Sequence, residues 1–88
     1  MTQKQGVREK KMLSYNLDSF DSAKRLINFC DKFKGEMEID IICGRQIIDG
    51  YSALGIYSLV GHIVTIQPLT KDREALNEFK NGLNKMDL

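Results

Sequence analysis

The residue types most able to do chemistry are scarce in this chain, which holds one histidine and two cysteines among 88 residues. Cys30 and Cys43 lie thirteen positions apart and form no CxxC pair. A structural zinc site usually needs four nitrogen or sulfur ligands, so we expect no metal site. Because the sequence opens with no export signal, we expect two small, buried thiols in preference to a disulfide.

The single histidine, His62, follows Gly61 at the start of a predicted strand. We expect a half-exposed residue at an edge there, and only secondarily a reactive imidazole. Glu36, Glu38 and Asp40 occupy alternate positions of another predicted strand. That spacing favours a solvated face that protects a sheet edge over a pair of catalytic carboxylates.

Length and composition restrict the classes of function. Eighty-eight residues suffice for one domain and leave no room for a second core. Thirteen basic and twelve acidic residues give a net charge of +1, and 8% aromatic content without basic-aromatic interleaving argues against nucleic-acid binding. No stretch is apolar enough for a membrane helix. We therefore predict a monomeric cytoplasmic domain at residues 11–88, behind a polar leader at residues 1–10, with no cofactor.

Apolar residues at helical and strand spacing predict seven secondary-structure elements. In chain order these are a strand, a helix, two strands, a short helix, a strand and a helix. The first six cover residues 11–15, 23–33, 36–41, 46–48, 52–59 and 62–67, and the last helix follows a cap at Thr70 or Asp72 and reaches Met86. The long helices should each bury one face, formed by Ala23, Leu26, Ile27, Cys30 and Phe33 and by Ala75, Leu76, Phe79, Leu83 and Met86. Only one face of the second strand is apolar. The predicted fold class is therefore α+β, an open-faced β-sandwich with a four-stranded antiparallel sheet covered on one face by three helices.

Capping and breaking residues separate these elements. Hydroxyl and carboxylate side chains within residues 16–22 can cap the first long helix. Thr70 or Asp72 can cap the last one, and Pro68 should end the strand before it. Gly82 interrupts the last helix, where we expect fraying.

Three segments of the chain follow known motifs. Residues 52–59 read S-A-L-G-I-Y-S-L, close to K-S-[IL]-[ML]-G-[LVI]-[ML]-[ST]-L from its second position onward. Residues 44–49 read G-R-Q-I-I-D, close to N-G-K-x-V-[DN], and the predicted helix at 23–33 ends in D-K-F, close to S-K-[FY]. These motifs belong to the HPr family, the small phosphocarriers of the bacterial sugar phosphotransferase system and their relatives. The chain resembles that family from about Lys11 to Met86, which implies an HPr-like βαββαβα fold.

The resemblance implies that the family's phosphoryl-carrying site is lost. In the family a histidine just before the first helix carries the phosphoryl group, an arginine two residues later contacts it, and a proline follows. The matching positions here hold Ser19, Asp21 and Ser22. A serine hydroxyl lacks the imidazole pKa that permits phosphoryl transfer near neutral pH. Asp21 would repel a phosphoryl dianion by on the order of several kcal/mol, so we expect no enzymatic activity.

Ser52 falls where many Gram-positive members of the family carry a serine that a dedicated kinase phosphorylates. The resemblance therefore implies a regulatory phosphorylation site, with phosphate stabilised at the positive end of a helix. Ala53, Leu54, Ile56 and Tyr57 would form the apolar patch that in the family docks partner proteins. The alternative is that Ser52 is an unmodified N-cap and that the apolar residues belong to the core.

These expectations together predict a regulatory module that binds an unidentified protein partner. It is similar to the catabolite-repression HPr paralogues, which lack the histidine and keep the serine. The alternative is a phosphocarrier that uses His62. A third hypothesis, an unrelated α+β binding module, would be favoured by a first helix whose N-terminus lies far from Ser52.

Overall fold

The computed structural model describes residues 13–86. Its elements are β1 (Leu13–Leu17), α1 (Phe20–Asp31), β2 (Glu38–Cys43), β3 (Gln46–Asp49), α2 (Ala53–Tyr57), β4 (His62–Leu69) and α3 (Arg73–Met86). This is the predicted order of elements. The predicted leader at residues 1–10, and the first two residues of the strand predicted at 11–15, lie outside the described residues.

The four strands form one antiparallel sheet in the order β1-β4-β2-β3. Along one row across the sheet, Leu13 pairs with Ile66, Ile66 with Ile41, and Ile41 with Ile48. The last strand of the chain therefore lies inside the sheet, between the first strand and the second. The predicted α+β class, with four antiparallel strands and three helices, is confirmed.

Only one face of the sheet carries the core. Directly opposed residues share a face, so the register places all the buried strand residues on one side of the sheet. The buried ones are Tyr15, Leu17, Ile39, Ile41, Val64, Ile66 and Pro68. The buried apolar residues of α1, α2 and α3 join the same cluster. The helices therefore cover one face, and the other face is open.

Pro68 does not end β4, contrary to the prediction. It lies inside the strand, buried and opposite Ile39 of β2. A proline breaks a sheet when its missing N–H would have bonded a neighbouring strand. The described part of β1 reaches only Ile66 along β4, so no described residue of β1 loses a hydrogen bond there.

Helix α1 buries Ser22, Ala23, Leu26, Phe29 and Cys30. The predicted face held Ile27, which is half-buried, and lacked Phe29. Phe33 is buried as predicted, but it lies in the turn that follows α1. The rings of Phe29, Phe33 and Phe79 pack against one another with centroids 5.0–5.3 Å apart, which joins α1 to α3 through an aromatic contact.

Asp72, one of the two predicted caps, immediately precedes helix α3. The Asp72 carboxylate accepts from the backbone N–H of Glu74 at 3.0 Å and of Ala75 at 3.3 Å. The predicted fraying at Gly82 is wrong, because the helix continues through it to Met86. A Cβ at position 82 would lie 2.5 Å from Cε1 of Phe29, so glycine permits the close approach of α3 to α1.

Among the described residues, no helix is long and apolar enough to cross a bilayer.

Candidate functional site

The head of α1 is closed by side chains of its own segment. Ser19 is the N-cap in extended conformation, and its hydroxyl accepts from the backbone N–H of Ser22 at 3.2 Å. The Ser22 hydroxyl, buried under the turn, donates to the carboxylate of Asp18 at 2.5 Å. That hydrogen bond is the main reason why the pKa of Asp18 lies below its usual value, and Arg25 one turn later adds to it.

The carboxylate that is hydrogen-bonded at the helix head is therefore that of Asp18. Asp21 lies exposed in the first turn of α1 and makes no side-chain hydrogen bond with any described residue. Ser19 and Ser22, the other two positions where the family's site was expected, take part in the cap. The hydroxyl of Ser19 is thus engaged with a backbone N–H that an anion at this end would use.

Ser52 is the N-cap of α2, as predicted. Its hydroxyl accepts from the N–H of Gly55 at 3.3 Å, and its own N–H donates to the carbonyl of Asp49 at 2.9 Å. The residue is half-buried. Its position at the start of α2 leaves the hydroxyl as an acceptor at the positive end of a short helix.

The predicted patch on α2 divides between surface and core. Ala53 is exposed, Leu54 is 84% exposed and Tyr57 is half-buried. Ile56 is fully buried, which corrects its assignment to a docking patch. The five-residue helix makes little more than one turn, so only one of its faces can reach the sheet, and Ile56 occupies that face.

An aromatic residue that the sequence analysis missed completes the exposed part of this patch. Phe20, the first residue of α1, is 66% exposed, and its ring centroid lies 5.8 Å from that of Tyr57. We call Phe20, Ala53, Leu54 and Tyr57 the α1–α2 surface. The signal for Phe20 was present, because it is an apolar residue among capping side chains and outside the buried spacing of the helix.

Tyr51 fixes the approach to α2. Its hydroxyl lies 3.0 Å from the carbonyl oxygen of Phe33 and 2.6 Å from that of Met37, to which it can donate. Burial is the main cause that raises the pKa of this phenol. The residue before Ser52 is thereby tied to the turn between α1 and β2.

His62 lies exposed at the first position of β4, a strand inside the sheet. His62 is thus more exposed than expected, and among the described strands it is paired only with β1, because the register between β2 and β4 begins at Thr65. Its register partner is Leu17, the last residue of β1, which precedes the head of α1 by two residues. The only histidine of the chain thus lies at the same end of the sheet as the α1 cap.

Both cysteines are free thiols. Cys30 is fully buried and Cys43 half-buried, so the expectation of two buried thiols is confirmed for Cys30 and half met for Cys43. Burial raises the pKa of Cys30 to about 12, which keeps it a protonated, unreactive thiol. Within residues 13–86, no three or more histidine, cysteine, aspartate or glutamate side chains are grouped so that they could hold a metal ion.

Comparison with protein-family models, with curated proteins and with solved structures finds no significant match to this chain.

Proposed function

We propose that this chain is an HPr-like regulatory domain that binds a protein partner through the α1–α2 surface and performs no phosphoryl relay. The observation that carries the proposal is the contact between Phe20 and Tyr57, which joins the head of α1 to α2 in one exposed apolar surface. Contiguous exposed apolar surface marks protein interaction sites, and aromatic side chains often carry much of the binding energy there.

The arrangement of elements supports the HPr-like part of the proposal. The order of strands and helices is βαββαβα, as the resemblance implies. A first helix remote from the Ser52 segment would have favoured an unrelated binding module. The N-terminal residue of α1 instead contacts the helix that Ser52 caps.

The chemistry at the head of α1 supports binding rather than transfer. Ser19 accepts from a helix N–H, and the neighbouring Ser22 hydroxyl is held by the Asp18 carboxylate. An incoming phosphoryl dianion would meet this carboxylate and would compete with the cap for donors. A serine phosphoester would also pass its group onward far less readily than a phosphohistidine.

Phosphorylation of Ser52 is the switch that we include in the proposal. The half-buried hydroxyl lies at the N-terminus of α2, two residues before the exposed Leu54. A phosphate there adds about −1.5 to −2 charges beside the α1–α2 surface. A partner that recognises the modified form would need cations beside an apolar pocket.

The switch is tested by incubating the chain with an HPr kinase and ATP and measuring the intact mass. We expect the gain of one phosphoryl group in the wild type and in Ser58→Ala, and no gain in Ser52→Ala. Ser58 is the matched control because it is an exposed serine at the other end of α2. Absence of a gain in the wild type would remove the switch and leave unmodified binding open.

The surface is tested by affinity capture from the source cytoplasm with wild-type, Ser52→Asp, Leu54→Asp and Asn77→Asp baits. Asn77 is the control, since it is an exposed residue of α3 outside the α1–α2 surface. We expect a protein retained by the wild type and by Asn77→Asp and lost with Leu54→Asp. Equal retention by Leu54→Asp would exclude the α1–α2 surface, and a difference between wild type and Ser52→Asp would report the switch.

A phosphocarrier role through His62 is the second candidate, favoured by the exposure of His62 and by its place opposite Leu17, near the head of α1. In that step the P–N bond of a donor phosphohistidine breaks while a new P–N bond forms on His62, with no change in oxidation state. Labelled phosphoenolpyruvate with Enzyme I decides between the candidates. An acid-labile label that disappears in His62→Ala would overturn our first proposal.

A further inference from the structure

The open face of the sheet has its own pattern of side chains, on the side opposite the helices. The register places eleven strand residues on this face: Ser14, Asn16, Glu38, Asp40, Ile42, Ile47, Asp49, Ile63, Thr65, Gln67 and Leu69. Two of them, Ile47 and Ile63, are among the most exposed large apolar side chains of the described residues, at 64% and 69%. The face is therefore neither uniformly polar nor part of the core.

Apolar residues gather at one end of the open face. Ile42 and Ile47 are directly opposed on β2 and β3, and Thr65 of β4 is the other register partner of Ile42. Ile63 precedes Thr65 by two residues in β4 and lies opposite Asn16 of β1. Side chains this close across a sheet form a continuous surface rather than isolated apolar residues.

The opposite end of the open face is acidic. Asp40 and Asp49 are directly opposed on β2 and β3, and Glu38 follows Asp40 on the same face. Like charges placed opposite one another destabilise a sheet. Neither carboxylate of the Asp40–Asp49 pair has an ion-pair partner among residues 13–86, and the strand residues of this face include no lysine or arginine.

A groove deepens the acidic end. It has a volume of about 900 Å³ and is lined by the open-face residues Glu38, Asp40, Ile47, Asp49 and Leu69 together with residues of the turn before β2 and of the segment before α2. Glu36 adds a fourth carboxylate to its walls, and Lys34 is the only cation that lines it. The groove therefore offers a negatively charged end next to apolar side chains.

We propose that the open face, together with this groove, docks a basic, amphipathic segment of a partner protein. Lysine or arginine side chains of the segment occupy the groove between Asp40 and Asp49, and its apolar side chains cover Ile47 and Ile63. Charge complementarity supports this proposal, because a cation between the opposed carboxylates removes their repulsion. A second copy of this chain, with the same carboxylates, would bring like charge against like charge.

This proposal is separate from the function proposed above, since it uses the other side of the sheet. The probe is a short synthetic peptide of lysine, leucine and alanine that forms an amphipathic helix, and binding is followed by amide NMR of the full chain. We expect shifts within residues 38–49 and 63–69 and none within residues 53–57. Shifts confined to residues 53–57 would overturn the proposal.

Two double variants test the proposal. The test variant carries Asp40→Asn and Asp49→Asn, and the control variant carries Glu74→Gln and Glu78→Gln. The second pair consists of exposed carboxylates one turn apart on α3. Removing the opposed aspartates should weaken peptide binding by about five- to tenfold and raise the urea midpoint of the free chain. The glutamate variant should bind the peptide as the wild type does. Unchanged affinity in the aspartate variant would overturn the proposal.

Two further measurements identify other occupants. Spermine supplies the cation without the apolar part, so it should bind more weakly than the peptide, and equal affinity would exclude a role for Ile47 and Ile63. Sedimentation of the chain alone should show a monomer. A dimer that Ile47→Asp dissociates would assign the open face to a second copy and overturn the proposal.

Discussion

At the scale of single residues, the groups that could do chemistry are mostly engaged in holding the fold. Cys30 is a buried thiol with a raised pKa, Ser19 is a helix cap and Tyr51 ties two segments together. His62 is the exception, because it is exposed.

Cys30 makes the stability of the folded chain decrease as the pH rises in the alkaline range. Its pKa is raised from 9.0 to about 12 in the folded chain, so the unfolded chain loses the thiol proton first as the pH rises. The contribution of Cys30 to the free energy of unfolding is fully present below pH 9. It should fall by about 1.4 kcal/mol per pH unit between pH 9 and the pKa of the thiol in the folded chain. Urea unfolding at several pH values measures it. In Cys30→Ala the lysine and tyrosine titrations remain, so the free energy of unfolding should still fall with pH but less steeply than in the wild type. An equally steep fall would show that Cys30 is not the source of the pH dependence.

Tyr51 contributes through its hydroxyl. Tyr51→Phe removes the donor to the carbonyl oxygens of Phe33 and Met37 and should lower the free energy of unfolding by about 1 kcal/mol. Tyr57→Phe is the control, because the Tyr57 hydroxyl makes no hydrogen bond with the described residues. Urea unfolding measures the free energy of unfolding of both variants. Equal values would show that the hydrogen bonds of the Tyr51 hydroxyl contribute nothing to stability.

At the scale of elements, tertiary packing determines the conformation of segments whose local helix propensity is weak. Helix α2 has only five residues and is marginal by itself. Ser52 caps it, Ile56 anchors it in the core and Phe20 of α1 contacts its last residue. Tertiary contacts therefore make this segment a helix and leave Leu54 uncovered.

Gly82 shows the same competition between local propensity and packing in α3. In an isolated helix, Gly→Ala is stabilising by about 1 kcal/mol. Here the added Cβ would lie 2.5 Å from the ring of Phe29, and overpacking costs about 1–3 kcal/mol. Gly82→Ala should therefore lower the urea midpoint, whereas the exposed control Asn84→Ala on the same helix should not. A stabilising Gly82→Ala would mean that α3 moves away from Phe29 at no cost.

At the scale of the whole molecule, one sheet separates two surfaces of different chemistry. The helical side presents the apolar α1–α2 surface, and the open side presents isoleucines next to opposed carboxylates. The core lies between them on the helical face of the sheet. The two surfaces can therefore be altered independently, by Leu54→Asp on the helical side and by Asp40→Asn with Asp49→Asn on the open side.

The topology also predicts where the molecule resists opening. β4 has strand partners on both sides, whereas β3 pairs only with β2 among the described strands. Amides of Val64 to Ile66 should therefore exchange slowest, at rates set by global unfolding, and those of Ile47 and Ile48 should exchange much faster. Hydrogen exchange followed by NMR measures this order. Similar protection in β3 and β4 would show that the edge strand opens only with the whole fold.

The amino-acid sequence by itself determined the local features of this protein. Alternating apolar residues predicted β2, three- and four-residue spacing predicted α1 and α3, and the predicted caps were Ser52 for α2 and either Thr70 or Asp72 for α3. These features depend on neighbours within about one turn of chain, so periodicity and capping chemistry suffice to predict them.

Only the tertiary structure decided which residues meet. It placed Pro68 inside β4, moved Ile56 from the surface to the core, brought Phe20 against Tyr57 and set Asp40 opposite Asp49. Each of these outcomes depends on residues far apart in the chain, or on which face of an element turns inward. Local sequence patterns do not distinguish between these arrangements, so packing between residues far apart in the chain determines which one forms.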